Sequence, residues 1–234
     1  MKKFLLVLIA GILFSTAMPA FSASSSRLFT SKEIKKNQTW LYEIGFRLLN
    51  ANKIDKRIVF AYSTKSDVNA SSSNINRTIT VYDGLMQYVE SEDELAAILA
   101  HEISHSVDSY NGIFRGYLEF VPHIFIPRKY ERKADLRAVD YMVNAGYNPV
   151  ALIVIMNKAF PQYRYEVLGT HPLTTRRMAM IYEYIYTKYP AFLANNIYQH
   201  NVYYQNFLLN SEKNRKKLAQ KIRTGSNKKI KYDY

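Results

Sequence analysis

The sequence has 234 residues, 48% of them hydrophobic and 22% charged, which excludes a disordered chain and suits one folded domain with an appendage. It contains no cysteine, so disulfides, thiolate metal ligands, a cysteine nucleophile and cysteine-linked lipid are all ruled out. The formal net charge of +13 is large for this size and predicts attraction to anionic surfaces.

The first stretch, "MKKFLLVLIAGILFSTAMPAFSAS", has the layout of an export signal. Lys2 and Lys3 precede an apolar run from Phe4 to Phe14, and Ala20 and Ser22 have the small-x-small spacing of a cleavage site. Residues 1–22 are therefore read as a signal peptide cut after Ser22, with Ala23 as the second choice. The alternative is an uncleaved anchor, but the run falls short of the roughly 20 residues a spanning helix needs. The mature chain, with no transmembrane span expected, is read as exported, periplasmic or secreted.

Thr30 and Glu33 have capping-box spacing and open a helix that continues to about Asn50. The β-branched and aromatic stretches "RIVFAYST" (57–64) and "RTITVYDG" (77–84) read as strands. The polar "KSDVNASSSNIN" between them reads as a turn or loop. A helix is predicted from about Ser91 through His105, a second from about Lys129 to Asn144, and a third in "NPVALIVIMNKAF". A fourth lies within "GTHPLTTRRMAMIYEYIYTKYP" and is bounded by Pro190, with Tyr182, Ile185 and Tyr189 on a core-facing stripe. The sum is an α+β fold, mostly helical with a small sheet.

Inside the helix predicted from about Ser91, "LAAILAHEISHSVD" places His101, Glu102 and His105 in an apolar run. Residues four apart share a helix face, so the two imidazoles can converge on one Zn²⁺. Glu102 sits about 100° round the helix, placed to reach a water without ligating the metal. A catalytic zinc takes three protein ligands and keeps one position open. In "YERKADLRAVDYM", Glu131 offers the third ligand, and Asp135, one turn on, is placed to fix the tautomer of a ligand histidine, with His101 the expected one.

"ELAAILAHEISH", "ERKAD" and "THPLTTRRM", in that order, resemble metallopeptidase family 48, the gluzincins that include the CAAX prenyl proteases. The resemblance runs from about Val68 to Ile181. It implies a zincin-like metallopeptidase domain whose HExxH helix carries the site. It also implies zinc on His101, His105 and Glu131, Glu102 as general base and Asp135 behind a ligand. The family's His-Pro motif falls on His171 and Pro172, and its following arginine on Arg177. His171 is read either as a donor to the oxyanion or as a latch on the metal's fourth position. Arg177 is read either as a stabiliser of developing charge or as a clamp on the acids of the site. The region ahead of "TITVYDG" leads, in the family, into the strand that pairs with substrate, so backbone capture is expected there.

The expectation is thus a signal peptide (1–22), a metallopeptidase domain (23–207) and a basic C-terminal tail (208–234). The domain would carry one zinc per chain and act on polypeptides. The tail holds nine Lys or Arg against two acids from Ser211 onward. It is read either as a solvated tail or as a contact with an anionic membrane or cell-wall surface; no nucleic-acid partner is expected. The competing function is a non-enzymatic zinc-binding protein or chaperone docked at such a surface.

Overall fold

The computed structural model describes residues 29–73, 77–109, 127–160 and 174–232; the N-terminal signal segment, and His171 with Pro172, lie outside them. Helix α1 (Ser31–Ala51) begins as its capping box dictates. Glu33 N–H donates to Thr30 Oγ1 at 3.2 Å, and Thr30 N–H donates back to Glu33 Oε2 at 2.8 Å. Leu41, Ile44 and Leu48 form its buried stripe. A Cβ on Gly45 would stand 2.5 Å from the Phe60 ring, so a side chain there would push the helix off the sheet.

Three short strands follow, β1 (Val59–Ser63), β2 (Ala70–Ser73) and β3 (Thr78–Tyr82), in the order β1-β3-β2. β1 runs parallel to β3, with Phe60 beside Ile79, while β2 is antiparallel to β3, with Ala70 beside Val81. Three expectations change here. The strand "TITVYDG" was expected to offer its backbone to substrate, but β3 is the central strand and its ladder is occupied on both sides. The stretch read as a polar loop contains the edge strand itself, β2, whose serines have no strand propensity to announce it. The predicted strand at 77–84 also ends early, because Asp83 and Gly84 open the single-turn helix α2 (Asp83–Met86).

Helix α3 (Glu92–Ser109) runs through the centre of the molecule and touches α1, β2, β3 and the two helices that follow. Leu95, Ala96, Ala97, Leu99, Ala100 and Ile103 are fully buried on it, so the helix has no solvent face over this stretch. Helix α4 (Pro127–Asn144) packs along α3 and ends at Gly146, whose φ of 77° is the left-handed stop that glycine adopts without strain. The apolar α5 (Ala151–Ala159) lies across α3. Helix α6 (Thr174–Lys188) is fastened to α4 at Asp140, which accepts from Tyr184, Tyr189 and Lys188 at 2.8–3.1 Å. Ile185 is fully buried, and Tyr182 and Tyr189 pack against the same core.

After the one-turn α7 (Ala191–Ala194) come α8 (Val202–Asn210) and α9 (Glu212–Arg223). The domain boundary expected after residue 207 falls inside α8. The segment beyond folds back on α6, where Lys221 Nζ and Tyr232 Oη both donate to Glu183, at 2.8 and 2.6 Å. No helix among the described residues is long and apolar enough to cross a membrane.

Candidate metalloprotease active site

Two helices supply the charged centre. His101 and His105 project from α3 and Glu131 from α4, where α4 lies along α3. The Nε2 atoms of His101 and His105 are 3.1 Å apart. Glu131 Oε2 is 3.4 Å from His101 Nε2, and its Oε1 is 3.2 Å from His105 Nε2. The three side chains thus offer ligand atoms that all lie within 4.8 Å of one another.

These separations fit a zinc ion. Tetrahedral bonds of about 2.0–2.1 Å put ligand atoms about 3.3–3.4 Å apart, close to the three distances found. The tautomer fits as well. His101 Nδ1 is 3.0 Å from Asp135 Oδ1, so a proton on Nδ1 leaves Nε2 with its lone pair turned to the cluster. Charge gives a third agreement. Glu102, Glu131 and Asp135 are buried with one buried guanidinium, Arg177, and a divalent cation would balance the excess of negative charge. The His101 imidazole registers that field. Burial pulls its pKa down, but hydrogen bonds and charge from Asp135 and Glu131 outweigh this and push it up to about 10.

Arg177, from the first turns of α6, joins the two carboxylates. Its Nε and Nη2 donate to Asp135 at 2.8 and 2.7 Å, and its Nη1 lies 2.9 Å from Glu131 Oε2. Burial would raise the Asp135 pKa, but the Arg177 charge and hydrogen bonds, helped by His101, hold it below its ordinary value. Of the two roles weighed for Arg177, the contacts are those of a clamp on the acids.

Glu102 is buried beside His101 on the wall of a largely apolar pocket. Ala97 and Ile98 of α3 line one side, and Leu152, Ile155 and Met156 of α5 with Phe160 line the other. Asn69 and Ala70, at the start of β2, reach the same pocket. Sequence reasoning did not pick out this pocket. Its only signal was the continuous apolar run of α5, which marks a helix buried all round without saying that one face borders a cavity.

The opposite edge of the sheet is closed. Gln38 of α1 donates to the Phe60 carbonyl at 2.8 Å and accepts from Tyr62 N–H at 2.9 Å, so its amide occupies the outer edge of β1 as a strand would. β2 is the other edge, and it flanks α3 and the pocket.

The family model described as Peptidase family M48 matches residues 35–113 and 116–185. The chain belongs to peptidase family M48. It is similar to the beta-barrel assembly-enhancing protease of Escherichia coli (strain K12), at 22% identity over 183 residues covering 60% of this chain and 37% of that protein. It is also similar to a protease HtpX homolog of Nitrosomonas eutropha, at 39% identity over 100 residues covering 41% of this chain and 34% of that one. The chain thus spans little more than a third of the length of these curated relatives. The resemblance read from three short motifs is shown by a match over most of the chain.

Proposed function

We propose that the protein is an exported zinc endopeptidase, in which His101, His105 and Glu131 hold one Zn²⁺ and Glu102 is the general base. The observation that carries this reading is the convergence of those three ligand side chains beside a buried glutamate on a pocket wall. Zinc bound there would acidify a water toward pKa about 7 and polarise the scissile carbonyl. Glu102 takes the proton of the attacking water and passes it to the departing amine. Asp135 keeps the Nδ1 proton of His101 in place, and Arg177 holds Asp135 and Glu131 at their working positions.

The substrate is a polypeptide lying along the outer edge of β2, paired with it through backbone hydrogen bonds. That edge supports the reading because it borders the pocket while Gln38 closes the other. A bulky apolar side chain next to the scissile bond enters the pocket between α3 and α5. Export rests on the N-terminal segment, whose charges and apolar run suit a signal peptide, and places the enzyme in the periplasm or outside the cell. Envelope proteins are then the substrates within reach.

The test is zinc per chain in purified protein, measured beside peptide cleavage. One zinc in the parent, much less in Glu131→Ala, and zinc retained with turnover lost by orders of magnitude in Glu102→Gln is the expected result. Undiminished cleavage by Glu102→Gln overturns the mechanism. A folded parent that takes up no zinc on reconstitution overturns the site.

A further inference from the structure

The chain from Val202 to Arg223 is two helices with only Ser211 between them. Ser211 keeps the helical bonding on both sides: its N–H donates to the Phe207 carbonyl at 2.9 Å, and its carbonyl accepts from Arg215 N–H at 2.8 Å. The buried residues Tyr204, Phe207, Ser211, Asn214 and Leu218 recur three and four apart and form one inward stripe through both helices. At about 100° per residue, the opposite crest carries Val202, Leu209, Lys213 and Lys216. Val202 is 70% exposed and Leu209 77%.

One exposed leucine carries no information. Two aliphatic side chains and two lysines along a single ridge do. The basic residues of α9 are also sorted by direction. Toward the protein, Arg215 donates to the Leu208 carbonyl, Lys217 to the Lys231 carbonyl and Lys221 to Glu183. Away from it stand Lys213, Lys216 and Arg223, followed by Lys228 and Lys229, all exposed. Glu212, paired with Lys216, is the sole acid between Val202 and Lys231.

We propose that this ridge seats the protein on an anionic phospholipid surface. Val202 and Leu209 enter the headgroup boundary, and the lysines behind them meet phosphates. A polyanion would need only the lysines; the aliphatic pair is what selects lipid. The ridge shares no residue with the candidate metal site, so its contact with lipid is independent of catalysis.

The test is cosedimentation of the chain as processed on export with vesicles of about 30% phosphatidylglycerol in phosphatidylcholine, against phosphatidylcholine alone. The parent should bind the anionic vesicles and release as salt rises. Val202→Ser with Leu209→Ser should weaken that binding about tenfold or more, with the charge unchanged. Lys213→Ser with Lys216→Ser should weaken it too and flatten the salt dependence. All four side chains are on the exposed crest, so thermal midpoints should match the parent and rule out misfolding. Equal binding by the Val202 and Leu209 double variant overturns the proposal, as does a parent that ignores vesicles but is retained by polyphosphate, or that binds neither.

Discussion

Arg177 forks onto Asp135, Nε to Oδ2 at 2.8 Å and Nη2 to Oδ1 at 2.7 Å, in a setting where both side chains are almost wholly buried. The fork holds the carboxylate that faces His101, and the third nitrogen reaches Glu131. One side chain on α6 thereby fixes a proposed ligand, Glu131, and the partner of another, His101.

Removing that guanidinium leaves two buried carboxylates without their cation. Arg177→Ala should destabilise the metal-free protein by about 3–5 kcal/mol. Arg177→Lys should rescue little of this, because an ammonium cannot form the fork. Zinc affinity should fall about 10–100-fold in either variant, the usual cost of losing support behind a ligand. Thermal melts with chelator and with zinc, beside a competition titration of the metal, read both effects. Parent-like affinity in Arg177→Ala would confine the arginine to a structural role.

What the sequence made legible follows from how each feature is encoded. The charged centre was readable because its residues are rare, ionisable and spaced by a helical turn, so His101, Glu102, His105, Glu131 and Asp135 each stand out from an apolar or basic surround. The helices were readable from periodicity and caps, as with Thr30 and Glu33. β2 was not, because its four residues become a strand only through pairing with β3, a tertiary effect with no local signal. Gln38 was not, because nothing in an isolated glutamine says that it will close a strand edge. The pocket and the ridge of α8 and α9 were hidden for a similar reason. Each depends on which face of an element packs inward, and the basic composition of the C-terminal region masked the helical stripe beneath it.

Ala97 lies one helical turn before His101, so both share a face of α3, and both line the pocket. A larger side chain there should fill part of the pocket. Ala97→Val should lower kcat/KM for peptides with leucine or phenylalanine beside the scissile bond by about 10-fold or more, and spare peptides with alanine there. Zinc content should not change. An equal loss for both peptide classes would mean that the pocket does not receive that side chain.

Lys158, in the last turn of α5, is nearly sealed from solvent, with Nζ 2.7 Å from Glu94 Oε1 and 2.9 Å from Glu90 Oε2. Burial lowers a lysine pKa, yet these two carboxylates raise it above the ordinary value. Glu94 is as buried as its partner, so Lys158→Met strands a carboxylate in the core and should cost about 3–5 kcal/mol. The double change Lys158→Met with Glu94→Gln should recover a good part of that. Denaturant melts of the two variants decide it; a single variant as stable as the parent would show that the pair is not held as described.

Asp108 ties α3 and α4 together near the end of α3. It accepts from Lys133 at 2.8 Å and from Arg137 at 2.9 Å, both on α4, and Arg137 also donates to the Ser104 carbonyl at 3.1 Å. Burial alone would raise the Asp108 pKa, but the two hydrogen-bonded cations hold it below the ordinary value. A carboxyl whose folded pKa is depressed stabilises the fold above its unfolded value and loses that contribution as pH falls through the folded one. Asp108→Asn should therefore be less stable than the parent at neutral pH, and the gap should close progressively in acid below about pH 4. Thermal midpoints of the pair from neutral pH into this range follow the difference directly. A gap that persists unchanged in acid would mean that Asp108 acts through its shape and not its charge.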